Sequence, residues 1–258
     1  MPVEKMPVLF VGHGSPTNII EDNPFTEGWQ QIAKEIPTPT SILCISAHWY
    51  TGGQLVSQAE KPETIYDFYG FPQELYEISY PAPGAPALAQ QAAPLFTPPA
   101  MLDSIRGLDH GAWSVLHFMY PNADIPVCQL SVNNLLLPQQ SYQMGQLLAP
   151  LRQQGTLLLG SGNIVHNLGL VNWQLNGGYP WADEFDDYAK QAIVTGQHSK
   201  LVNYQQAGAS AQKAFVTKDH YDPLLYVLGA AGTTSKVRVF NDARVLGSIS
   251  MTSYLFED

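Results

Sequence analysis

Four apolar runs punctuate the chain, each of strand length and each ending in glycine or polar residues. Residues 6–11 stop at Gly12-His13-Gly14, and residues 41–46 end at Ala47-His48-Trp49. Residues 125–131 close in Asn133-Asn134, and residues 155–160 run into Ser161-Gly162-Asn163, with His166 close behind. Runs that are apolar throughout predict strands covered on both faces, the signature of a parallel sheet. Between them, apolar residues at three- to four-residue spacing predict helices over 25–36, 84–95 and 141–154. A further helix over 181–195 opens on Asp183, Glu184, Asp186 and Asp187, which read as a solvated helix start rather than a metal site. The stretch 219–230 takes Pro223 early and turns apolar, as a helix start allows. Residues 236–240 and 245–253 read as two closing strands. The alternation predicts one α/β domain over residues 1–258, a central mostly parallel or mixed sheet flanked by helices. In such sheets ligand sites collect beyond the carboxyl ends of the strands. A functional site is therefore expected at the strand ends.

Composition narrows the function. Apolar residues make up 45% of the 258 and charged residues only 13%, against roughly 25% charged in an average domain. Such a chain buries a sizeable core and is not disordered. The formal charge of −10, with no basic cluster to override it, excludes a nucleic-acid or anionic-membrane surface. The hydrophobic runs fall far short of the ~20 residues a membrane span needs. Glu4 and Lys5 lead straight into Val8-Leu9-Phe10, so no signal-peptide segment is expected. Cys44 and Cys128 each lie in an apolar stretch, where a buried free thiol is the natural reading, and a reduced, cytoplasmic protein follows.

The chemistry lies in the seven histidines. His13, His48 and His166 each follow a different predicted strand, so their side chains converge at one sheet edge. Imidazole suits Zn, Fe, Cu and Ni, and no cysteine competes for the ion. His110, in Asp109-His110-Gly111, and His220, in Asp219-His220-Tyr221, share this polar context. His117 falls in an apolar helical stretch and reads as structural; His198, between Gly196 and Lys200, reads as an exposed loop residue.

Taken together, these segments resemble a known family. Gly12-His13-Gly14-Ser15-Pro16, Ser46-Ala47-His48-Trp49, Asp109-His110-Gly111, Gly162-Asn163-Ile164-Val165-His166-Asn167 and His220-Tyr221-Asp222-Pro223-Leu224-Leu225 are similar to motifs of the LigB-type (class III) extradiol ring-cleavage dioxygenases. The 4,5-DOPA dioxygenase extradiol branch is the one they resemble, and Tyr80-Pro-Ala-Pro-Gly84 resembles it too. The motifs stand in the family's order along nearly the whole chain.

The resemblance implies that His13, His48 and His220 are metal ligands. His220 stands where protocatechuate-cleaving relatives carry a glutamate, so the set departs from the two-His-one-carboxylate triad of many non-haem Fe(II) oxygenases. His166 matches the family's acid/base histidine, or a fourth ligand in zinc-bound members, and His110 matches a histidine beside the substrate. The implied cofactor is non-haem Fe(II), with Zn(II) able to occupy the site in isolated protein. The implied partners are a catechol such as L-DOPA and O2, and the implied product is a muconic semialdehyde. A zinc hydrolase on the same histidines is the alternative, since three His ligands plus a water make a catalytic zinc site. Arg106 and Lys218 read as surface cations, although either could meet a substrate carboxylate. Trp49, Trp113, Tyr69 and Tyr221 fit an aromatic pocket or the core equally well.

Overall fold

A computed structural model describes residues 4–258. Its centre is an eight-stranded sheet built from β1 (Val8–Gly12), β2 (Ser41–Thr51), β3 (Leu55–Ser57), β4 (Met101–Asp103), β5 (Val127–Asn133), β6 (Thr156–Gly162), β7 (Lys236–Phe240) and, last in the chain, β10 (Ser253–Glu257). A small ribbon pairs β8 (Arg244–Val245) with β9 (Ile249–Ser250). The sheet order is β4-β3-β5-β2-β6-β1-β10-β7. The four strands β5, β2, β6 and β1 are parallel neighbours, while β10 and β7 add antiparallel at one edge. The predicted mixed sheet is present.

Helices cover both faces. They are α1 (Pro24–Glu35), α2 (Pro86–Ala92), α3 (His110–Met119), α4 (Pro138–Leu148), α5 (Pro180–Val194), α6 (His198–Val202), α7 (Ala209–Ala214) and α8 (Asp222–Ala231). Because successive strand residues point to opposite faces, Val8 and Phe10 join one core with α4, α5 and α8, while Leu9 and Val11 join another with α1 and α3. This two-sided burial is why the central strands are mostly apolar on both faces. No helix among the described residues is long and apolar enough to cross a membrane. Cys44 and Cys128 are buried free thiols.

Several expectations are corrected. The closing stretch 245–253 is not one strand, because Leu246 and Gly247 adopt positive φ and turn the chain between β8 and β9. The helix expected over 141–154 begins earlier, at Pro138, and gives way to a 3₁₀ turn over Ala149–Gln154 containing Pro150. The helix expected from Asp219 begins at Asp222, which Pro223 follows. The short strands β3 and β4, at one side of the sheet, carried no alternation long enough to find. His198 is not an exposed loop residue: it is buried at the start of α6, with Nδ1 3.2 Å from the Tyr142 hydroxyl. Asp186 is not part of a solvated helix start. Helical spacing puts it with Ala182 and Ala189 on the buried face of α5, where it accepts from Thr252 Oγ1 at 2.8 Å and Arg244 Nη1 at 3.1 Å. Burial raises its pKa against those bonds, and it ties α5 to the segment behind the site.

Candidate active site

The strands β2, β6 and β1 are adjacent and parallel, and β6 and β1 end together while β2 runs on to Thr51. Their register sets Gly12 beside Gly162 and Ser46 beside Ser161, so the residues just beyond them share one edge. His13 follows β1 directly, its backbone N–H donating to the Gly162 carbonyl at 3.2 Å. The turn continues through Gly14 at φ 65°, a conformation glycine adopts without strain. His48 does not follow β2, as expected, but lies inside it, at a register shift between Ser46 and Tyr50. Such an irregularity re-aims a side chain without ending the strand. His110 opens α3, capped by Asp109, whose buried carboxylate also takes Ser46 Oγ at 2.6 Å and Gln129 Nε2 at 2.7 Å. The Asn163 N–H holds the His220 carbonyl at 2.9 Å, and the His166 N–H holds the Ala214 carbonyl at 2.7 Å.

All five histidines meet. Ligand-capable atoms of His13, His48 and His110 lie within 4.8 Å of one another. The His220 ring centre is 5.2 Å from that of His13 and 4.9 Å from that of His48. His166 stacks on His220 at 3.5 Å with an interplanar angle of 7°. The hydrogen bonds fix one tautomer. Ser161 Oγ spends its only proton on the Gly111 carbonyl at 2.5 Å, so it accepts from His13 Nδ1 at 3.0 Å. His13 Nε2 then carries a lone pair, and it faces His48 Nε2 at 3.1 Å, the spacing of two donors at adjacent positions around one metal ion (~3.0 Å for ~2.1 Å bonds at a right angle). His220 has both ring nitrogens buried and without a hydrogen-bond partner. Asp219 Oδ2 is 3.3 Å from its Nδ1, but out of line for a bond. An imidazole left unpaired in this way suits a metal ligand, because a buried polar group with no partner is costly.

Electrostatics point the same way. Burial first, and then the neighbouring imidazoles, pushes the His13 and His220 pKa well down. Burial and His110 bring His48 to about 4, although Asp109 and Asp67 oppose them. Burial brings His166 to about 4 as well, with Asp219 opposing it. These four rings are neutral donors at neutral pH, the form that binds a cation.

Sequence reasoning missed Asp67. Its Oδ1 accepts from both the backbone N–H and Nδ1 of His110, each at 2.9 Å, and its Oδ2 stands 3.2 Å from His48 Nδ1, out of line for a hydrogen bond. Burial raises its pKa, but the His110 bond and the His110 and His48 charges outweigh that and hold it at about 2. No metal-ligand spacing or strand-end position marks it; only the neighbouring aromatics in Tyr66-Asp67-Phe68-Tyr69 could have drawn attention.

The histidines floor a cavity of about 480 Å³, walled by Phe68, Phe71, Leu168, Val171, Leu246 and Ile249, with Tyr69 and Trp173 in its lining. That volume suits a small aromatic ligand. Of the four aromatic residues weighed from sequence, Tyr69 alone lines it; Trp113 and Tyr221 are fully buried in the core, and Trp49 stacks under Arg106 at 5.2 Å. Arg106 is committed to Asp109 at 2.8 Å and the His48 carbonyl at 3.2 Å, and Lys218 to the Leu136 carbonyl at 2.9 Å. Neither lines the cavity. His117 is half-buried on α3 and takes no part.

The floor depends on close backbone approach. A Cβ on Gly162 would overlap the His220 carbonyl oxygen. Gly162→Ala is expected to lower stability by about 1–3 kcal/mol, as overpacking does, and to loosen metal retention by displacing His220. Thermal melts and metal analysis check this, and unchanged values in both would show that the loop yields freely.

Comparison with known proteins agrees with this geometry. Residues 7–257 match the family model described as the catalytic LigB subunit of aromatic ring-opening dioxygenase. A 4,5-DOPA dioxygenase extradiol of Escherichia coli K12 is 46% identical over 96% of this chain and 94% of its own length. A protein of the same name from Beta vulgaris is 38% identical over 96% and 95%. The crystal structure of an uncharacterized Escherichia coli K12 protein superposes with a TM-score of 0.85 at 41% identity, covering 97% of this chain and 99% of that one.

Proposed function

The chain belongs to the LigB family and is a metal-dependent extradiol aromatic ring-opening dioxygenase, and from that premise we propose that it opens L-DOPA or a closely similar catechol by 4,5-cleavage, with Fe(II) as the active metal. The observation that carries this is the meeting of five histidines on the floor of one catechol-sized cavity. His13, His48 and His220 are the proposed ligands, supported by the fixed His13 tautomer and the unpartnered His220 ring. Fe(II), when bound, supplies a Lewis acid and a template for the two catechol oxygens and O2. His166, neutral because burial lowers its pKa to about 4, accepts a catechol proton and later returns it to the opening ring. His110 is anchored through Nδ1 by Asp67, which aims Nε2 at the substrate. Asp67 thus orients this imidazole by the same carboxylate that faces His48. Two buried thiols fit a reducing, cytoplasmic compartment. The zinc-hydrolase reading finds no support among these relatives.

Oxygen uptake tests the proposal. Protein loaded anaerobically with Fe(II) is expected to consume O2 with L-DOPA and to form a yellow product, whereas Zn(II)-loaded protein consumes none. An iron form inert toward L-DOPA and simple catechols sinks the reading.

A further inference from the structure

The charges around the cavity are one-sided. Among the described residues that line it, the only ionic side chains besides histidine are Asp67 and Asp219, and no Lys or Arg is present. The two nearest cations by sequence, Arg106 and Lys218, are bonded elsewhere. The two carboxylates differ in availability. Asp67 is occupied by His110 and lies against His48. Asp219 uses only Oδ1, which accepts from Thr217 Oγ1 at 2.8 Å and the His220 N–H at 3.0 Å. Its Oδ2 makes no hydrogen bond, and the side chain is 27% exposed. A free carboxylate oxygen in an otherwise apolar and aromatic wall is a partner for a cation. The exposed aromatic rings of Tyr69 and Trp173 also accept an ammonium over their faces, whereas a carboxylate meets no Lys or Arg among the described lining residues.

Resting on the ring-opening reading, we propose that Asp219 receives the ammonium group of the substrate side chain, so that the enzyme selects catechols bearing an alkyl amine and disfavours those bearing only a side-chain carboxylate. Of the two side-chain charges of L-DOPA, the site then reads the ammonium, and the carboxylate contributes nothing or opposes binding. An amine without the acid, as in dopamine, is the better-matched class. The net charge of −10 further draws cationic substrates toward the protein.

The test is a kcat/KM panel on Fe(II)-loaded protein with dopamine, L-DOPA, 4-methylcatechol and 3,4-dihydroxyphenylpropionate. Wild-type protein is expected to favour dopamine over 4-methylcatechol by about tenfold, the scale of one hydrogen bond to a charged group, and to place the propionate last. Asp219→Asn keeps an Oδ1 acceptor for Thr217 and the His220 N–H but removes the charge. It is expected to bring the dopamine-to-4-methylcatechol ratio to about one, through KM. A ratio is unaffected by partial loss of metal or fold, which lowers both substrates together. Raising the ionic strength is expected to shrink the wild-type ratio as well, because an accessible charge is screened. Turnover of 4-methylcatechol with a wild-type ratio at or below one, or a ratio unchanged in Asp219→Asn, overturns the inference alone. Inertness toward every catechol overturns the ring-opening reading with it.

Discussion

His220→Ala is expected to remove bound metal and ring opening together, with a loss of affinity beyond the roughly 10–100-fold typical of an outer-shell partner. The reason is the contrast between two rings that both stand within 5.7 Å of His13 and His48, centre to centre. His220 is buried with neither nitrogen satisfied, and its environment makes sense once an ion supplies the missing partner. His110 already has its Nδ1 held by Asp67 at 2.9 Å and keeps a single nitrogen for the cavity. His110→Ala is therefore expected to retain the ion and lose turnover. Anaerobic Fe(II) titration of the two variants decides between the triads. Should His110→Ala lose the metal and His220→Ala keep it, the ligands are His13, His48 and His110, the group whose donor atoms lie within 4.8 Å of one another.

The second large effect concerns proton transfer. His166→Ala is expected to lower kcat by about 10²–10⁴-fold, the range supplied by a positioned acid or base, while most of the metal is retained. His166 also stacks on His220 at 3.5 Å, so alanine leaves that ring less well held. His166→Phe keeps a flat face against His220 and carries no proton, which separates the two contributions. Equal loss in the alanine and phenylalanine variants, with metal intact, assigns the effect to proton transfer. Near-normal turnover in either removes the acid/base role, and loss of metal from both makes His166 a fourth ligand.

The central sheet was legible because β1, β2, β5 and β6 are buried on both faces and therefore built on apolar runs, with few polar residues inside them. The peripheral strands were not, since three-residue elements such as β3 and β4 carry no period to detect. His13, His48 and His166 could be grouped because each follows a predicted strand, and His110 and His220 join them only through the resemblance of their motifs. What holds them was hidden. Asp67 reaches His110 from a loop 43 positions away, and Asp186 reaches Thr252 from 66 positions away. An acid near the start of a helix looks solvated until tertiary packing covers it. His198 misled for the same reason, because its partner Tyr142 belongs to a different helix.

The histidine floor has a consequence for when the ion can arrive. Its members come from the first strand of the chain and from the segment just before α8, and Gly12 and Gly14 pack against Met251, beside the last strand. Contacts of such high sequence separation form late, after the loop-closure entropy between them has been overcome. A chain still emerging from the ribosome lacks His220 and the strand that closes the sheet beside β1, so it holds at most part of the proposed ligand set. With His220 among the proposed ligands, metal capture waits until that segment has been made, and the ion joins the turn after β1 to the segment before α8.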